Sequence, residues 1–250
     1  MKSYLNKRIW IWLILFVVIG GSSALLFGIR YDIWIYDILN NNPPVKSSAN
    51  AKTILNQYPT VRFSDLPAQI KQPFYDKKYN LQKNISNSKF YLIPRKDLLK
   101  KIFLDNRIND LVTNEQKIQG LWYFQKGQAY LCIDDKLIEC LFLLQERLLK
   151  INCEPGALII NSGYRSPTHN EEVKGAPMSQ HLFGKAIDLK IGDINKDGSI
   201  NQDDKQIVYK ILNLDVIANK GGLGFYPTTQ ILHMDVRGVN ARWDYYKRKK

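Results

Sequence analysis

The sequence predicts an α+β domain preceded by one N-terminal transmembrane helix, and three observations carry that prediction. Residues 9–29, IWIWLILFVVIGGSSALLFGI, hold no charge, and a bilayer is crossed by about 20 apolar residues. Farther along, KLIECLFLLQERLLKIN repeats Leu137, Leu141, Leu144 and Leu148 at helical spacing. KAIDLK and ILHMDVR alternate instead, with Ile187 and Leu189, then Leu232, Met234 and Val236, facing one way.

The anchor comes first. Lys2, Lys7 and Arg8 precede the apolar run, so the positive-inside bias keeps the N-terminus in the cytoplasm and exports the chain beyond Arg30. A cleavable signal peptide is the rival, since Ser22-Ser23-Ala24 offers small residues for a peptidase. Against cleavage, the apolar run continues past Ala24 to Ile29. Residues 1–30 are therefore read as a basic tip and anchor, and localisation as single-pass in the cytoplasmic membrane with the bulk of the chain outside.

Residues 31–89 are rich in Asn, Ser, Pro, Lys and Gln, as in NNNPPVKSSAN and NLQKNISNS, and read as a stalk with local order near TVRFSDLP. The folded domain is expected over residues 90–250. It opens with KFYLIPRKDLLKKIFL and with LWYFQKGQAYLCI, whose aromatics flank Lys126-Gly127 as in a hairpin. Asp134 and Asp135 stand at the N-cap of the leucine-rich helix, and Pro155-Gly156 stops it. ALIINSGYR then reads as a buried strand ending in a polar loop.

The net charge of +13 does not point to nucleic acid, because the lysines are scattered and no basic helix or aromatic-basic pattern accompanies them. Attraction to anionic wall polymers or lipid head groups and a plain solvated cationic surface both account for it. Cys132, Cys140 and Cys153 are odd in number with no CxxC, so neither a disulfide framework nor a Cys zinc site is indicated. Core thiols are expected, with room for one bridge. A monomer is expected.

The chain holds three histidines, His169, His181 and His233. A catalytic zinc takes three N or O ligands and keeps one position open. His181 before Gly184, Asp188 on the following strand and His233 on a later one supply that set, with small Ala186 leaving room beside the metal.

SQHLFGKAIDL resembles the S-x-H-x-x-G-x-A-x-D motif of the zinc D-alanyl-D-alanine carboxypeptidase and murein endopeptidase family. NSGYRSPTHN is similar to its SGYRS loop, and GLGFYPTTQILHMDVRG with the following RW to the closing segment of one branch. The resemblance covers about residues 140–243 and implies the hedgehog/DD-peptidase fold of a bacterial wall enzyme. Its parts would be a small antiparallel sheet with Zn²⁺ on one face and helices on the other.

It further implies His181, Asp188 and His233 as zinc ligands, Arg165 on a substrate carboxylate, and peptidoglycan stem peptides or cross-links as substrate. Zinc-activated water would do the hydrolysis. Ser179 and Tyr164 either bond substrate or brace the loop. Many relatives carry a Glu or His base just ahead of the last ligand, whereas this chain has Gln230, Ile231 and Leu232. Asp235 is then either the base or an acceptor that orients a ligand histidine or pairs with Arg237. Without an effective base, the same cleft would serve as a non-hydrolytic peptidoglycan-binding or wall-tethering module.

DINKDGSINQDD, residues 193–204, places Asp193, Asn195, Asp197, the Ser199 carbonyl and Asp204 in the oxygen-ligand layout of an EF-hand loop, with Gly198 at the sixth position. Asp at the twelfth position resembles dockerin loops. Ca²⁺ is expected there, ahead of a helix DDKQIVYKILN with Ile207, Ile211 and Leu212 on its apolar side.

Overall fold

A computed structural model describes residues 54–75, 80–112 and 127–244. The expected transmembrane helix and the first arm of the expected hairpin lie outside the described residues. Among the described residues no helix is long and apolar enough to cross a membrane.

In chain order the strands are β1 (Thr60–Arg62), β2 (Lys89–Pro94), β3 (Lys101–Phe103), β4 (Asn106–Arg107), β5 (Gln128–Cys132), β6 (Leu158–Ser162), β7 (Ala186–Ile191), β8 (Gly222–Phe225), β9 (Ile231–Asp235) and β10 (Ala241–Asp244). The helices are α1 (Ala68–Lys71), α2 (Leu81–Ile85), α3 (Asp135–Lys150), α4 (Pro167–Glu172) and α5 (Gln202–Ile211). The main sheet has the order β10-β8-β9-β7-β6. It is antiparallel except where β10 runs parallel to β8, so the sheet is mixed where a wholly antiparallel one was expected.

Helix α3 starts where its side chains dictate. Asp134 accepts a hydrogen bond from the backbone N–H of Lys136 at 3.0 Å, meeting one of the amides that a helix start leaves unpaired. Leu137, Leu141, Leu144 and Leu148 are all fully buried, and α3 packs against α5. Helix α5 begins in a capping box, with Asn201 accepting from Asp203 and Asp204 accepting back from the Asn201 N–H. It sets Ile207, Val208 and Ile211 inward, against β7 and β9. Ile187, Leu189, Leu232 and Met234 thus lose nearly all contact with water, each stabilising by about 1.5–3 kcal/mol.

The opposite face carries the polar groups. Strand register aligns Ser162 with Asp188, Asp188 with His233, His233 with Gly224, and Gly224 with Trp243. One row therefore crosses all five strands.

Strand β6 departs from the expectation of a buried strand. Leu158, Ile160 and Ser162 are buried while Ile159 is 52% exposed, the alternation of an edge strand with one wet face. Its outer side is closed by Asn106, whose amide donates to Leu158 O at 3.0 Å and accepts from Ile160 N at 2.7 Å.

The expected stalk is also shorter than its composition indicated. Strand β1 pairs with β2, which pairs with β5, in a second antiparallel sheet. Leu55, Phe63, Ile70, Phe74, Leu81 and Ile85 are buried. Phe63 meets Phe74 edge-on at 5.4 Å. Among the described residues, order thus begins at residue 54, because single apolar residues spaced through polar sequence converge only in three dimensions.

The cysteines are free. Burial pushes the Cys132 and Cys140 thiols up to about 12 and Cys153 up to about 11, as core thiols require.

Residues 54–89 are expected to be integral to the domain. Phe74→Ala should cost about 3–5 kcal/mol in urea denaturation, and a chain beginning at residue 90 should lack a cooperative transition. An unchanged midpoint for both would return these residues to the role of a linker.

Candidate metal centre

Two histidines and one aspartate can share a cation only if each turns a lone pair to one point. His181 lies in a short 3-10 turn, Gln180–Phe183, ended by Gly184 at φ +66°. Glycine is required there, since a Cβ would stand 2.4 Å from the Cys132 carbonyl oxygen. Asp188 and His233 are cross-strand partners on β7 and β9. All three side chains are buried.

His181 Nδ1 is 2.6 Å from the Gly163 carbonyl, which can only accept, so the proton is on Nδ1 and Nε2 offers its lone pair. His233 Nε2 is 3.1 Å from Asp235 Oδ2, so there Nδ1 is the ligand atom. The tautomers follow from these partners.

His181 Nε2 then stands 3.2 Å from His233 Nδ1 and 3.3 Å from Asp188 Oδ1, and His233 Nδ1 stands 2.9 Å from that oxygen. Tetrahedral zinc with bonds of about 2.0–2.1 Å holds its ligand atoms about 3.3 Å apart. Two imidazole lone pairs and a carboxylate oxygen at this spacing repel one another unless a cation or a proton lies between them. The residues fit zinc. Among the described residues this is the one group of three or more His, Cys, Asp or Glu gathered in this way.

The electrostatics set the two histidines apart. Burial holds His181 below the usual histidine range, against the pull of Asp188. For His233 burial acts downward too, but bonds to Asp188 and Asp235 more than offset it and the net shift is upward. Burial opposes ionisation of Asp188 and Asp235, yet both are held well below the usual carboxylate range, Asp188 by the two histidines and Asp235 by His233 and Arg237.

Arg165, at the end of the SGYR segment, donates through Nη2 to Asp188 Oδ2 at 2.9 Å and to Ser162 Oγ at 3.1 Å. It thereby leaves Oδ1 of Asp188 for the cation. Its Nε is buried without a partner.

Asp235 is fully buried. Its Oδ1 accepts from Gly222 N and from Arg237 N and Nε, and its Oδ2 from His233 and from Arg237 Nη2 at 2.6 Å. Gly222 is small of necessity, because a Cβ would lie 2.2 Å from Asp235 Oδ2. A carboxylate so enclosed orients His233.

Tyr164 is 3% exposed, with its ring edge-on to Phe90 at 6.3 Å and its N–H on Leu111 O. It braces the loop. Ser179 precedes the 3-10 turn, and its hydroxyl makes no capping bond. His169 is buried, with Nδ1 3.2 Å from Glu172.

Trp243 sits 5.1 Å from the His233 ring, centroid to centroid, under the Arg237 guanidinium at 5.3 Å. The alternating glycines of GGLGF were the available signal for this arrangement, since Gly224 leaves the space that the Trp243 indole fills. The Gly163 carbonyl and Tyr226, whose hydroxyl meets the Trp243 indole N–H at 3.5 Å, had no signal in local spacing.

Residues 133–235 match the family model of peptidase M15. No curated protein and no solved structure matches the chain significantly. The M15 match spans the metal centre from the start of α3 to Asp235, and it supports a zinc metallopeptidase with peptidoglycan-related hydrolysis as its general activity. Arg237, Trp243 and everything before Ile133 lie beyond the matched segment.

The acidic loop within the matched segment is held differently from the metal centre. Asp193 accepts from Asp197 N and Gly198 N, Asp197 Oδ1 from Ser199 N, and buried Asp204 from Ile194, Asn195 and Asn201 N–H groups. Asn195 accepts from Asp197 N and donates to its carboxylate. The expected EF-hand calcium site therefore gains no support from the geometry, as the carboxylates turn to the backbone amides of their own loop.

Asp235→Ala is expected to keep the three ligands and lower zinc affinity about 10–100-fold, measured by competition with a chromophoric chelator. Unchanged affinity would remove Asp235 from the support of His233.

Proposed function

We propose that the protein hydrolyses an amide bond in peptidoglycan stem peptides or cross-links at the His181, Asp188 and His233 centre. The observation that carries this reading is the 2.9–3.3 Å spacing of three ligand atoms whose tautomers turn lone pairs to one point. Zinc bound there would supply Lewis-acid polarisation of the scissile carbonyl and acidify water. Gly163 and Asp235 hold the two imidazole rings in orientation, and Arg165 fixes the Asp188 carboxylate. A substrate carboxylate approaching Arg165 would meet a guanidinium already aimed at the centre, consistent with one residue serving both ends.

Buried Asp235, enclosed by five donor atoms, favours an orienting role over that of proton acceptor, and Gln230, Ile231 and Leu232 stand where many members of the family it resembles carry a Glu or His base. That observation favours the second reading, a peptidoglycan-binding module that retains the zinc cleft. Zymography on purified sacculi separates the two. The full chain loaded with zinc should release muropeptide fragments, and chelation or His181→Ala should abolish release. Zinc bound at one equivalent per chain, together with retention on sacculi and no release, would establish the binding module.

We also propose calcium for the loop at 193–204. Its support is the twelve-residue spacing of oxygen-bearing side chains with glycine at the sixth position. Millimolar Ca²⁺ should raise the melting temperature of the wild type and leave Asp197→Ala unmoved. Equal melting with Ca²⁺ and with chelator would end this proposal.

A further inference from the structure

The turn between β8 and β9 is held in a way that the metal ligands alone do not require. Lys205, on α5, is fully buried. Its ammonium donates to the carbonyls of Tyr226 and Thr229 and lies 4.1 Å from the Phe225 ring centroid. A buried lysine costs desolvation, and here two carbonyls and an aromatic face offset that cost at the turn carrying Tyr226.

The Tyr226 side chain reaches the polar face. Gly224 is opposite His233 in the register, and the Trp243 indole lies over that glycine, where a Cβ would come within 2.6 Å of Nε1. The same indole packs on the His233 ring and donates to Tyr226 Oη at 3.5 Å. An indole N–H donates and cannot accept, so the phenol oxygen is the acceptor and its own proton is left to give elsewhere. Tyr226 is half-buried. Burial pushes its pKa up and the Asp188 charge adds to this, against the Trp243 bond and Arg165, so the phenol keeps its proton at neutral pH.

We propose that Tyr226 is a substrate-contacting residue of the centre, its hydroxyl donating to the carbonyl oxygen of the scissile amide as negative charge develops there. The inference rests on the hydrolytic reading above. In that reaction water gives its hydroxyl to the acyl carbon and a proton to the departing amine as the C–N bond breaks. Tyr226 enters and leaves protonated. Trp243 holds the phenol oxygen, and Lys205 holds the backbone that carries it.

The test uses zinc-loaded full-length protein and compares wild type with Tyr226→Phe, which keeps the ring and removes the donor. Fragment release from sacculi should fall about 10²-fold in kcat, with KM and zinc affinity unchanged. Binding of a phosphinate analogue of D-alanyl-D-alanine should weaken at least tenfold. Release and phosphinate binding within twofold of wild type would overturn the role of Tyr226. A wild type that releases nothing would refute the hydrolytic reading by itself, and phosphinate binding would then decide for or against Tyr226.

Discussion

Three lone pairs facing one another at 2.9–3.3 Å are the constraint on which the rest of this structure depends. Left to themselves, two imidazoles and a carboxylate so close would rotate to exchange protons with each other. Each is prevented by a partner on its far side. A backbone carbonyl fixes His181, a buried carboxylate fixes His233, and a guanidinium fixes Asp188. Such outer partners set ring orientation and tautomer as firmly as the ligands set the metal. The small residues answer the same demand, since Gly222 and Gly224 clear the volume that Asp235 and Trp243 occupy.

What was legible in the sequence was what local period can carry. Alternation in KAIDLK and ILHMDVR put Asp188, His233 and Asp235 on one side, and the register then made Asp188 and His233 neighbours. The leucine spacing of α3 likewise survives in its buried face. What local period cannot carry is register between distant strands. The alignment of Ser162, Asp188, His233, Gly224 and Trp243 in one row is set by turn lengths and by the bulge in β6, neither of which a single strand encodes. The role of Asp235 was ambiguous for a related reason. Its position on the face was readable, but the donors that enclose it come from β8, from β9 and from the chain after β9.

Composition misled where apolar residues are sparse. Residues 54–89 look like a linker by their Asn, Ser, Pro, Lys and Gln content, yet Phe63, Phe74 and the adjoining Phe90 meet in one aromatic cluster. A few large rings bury enough surface to outweigh many polar neighbours. The acidic loop misled in the opposite sense. Its spacing spoke only of oxygen ligands, while each of those oxygens is also an acceptor for amides that a tight loop leaves unpaired. Both uses draw on the same atoms, and sequence does not rank them.

The single amide of Asn106 has a consequence for the molecule as a whole. By pairing with Ile160 N and Leu158 O it imitates one residue of a sixth strand. A sheet edge with free N–H and C=O groups is a template for other chains. Here the template is cut short, and Ile159, exposed on the same strand, adds an apolar side chain to a rim that has no ladder to extend. That flank of the sheet is thus sealed against strand exchange with neighbouring chains.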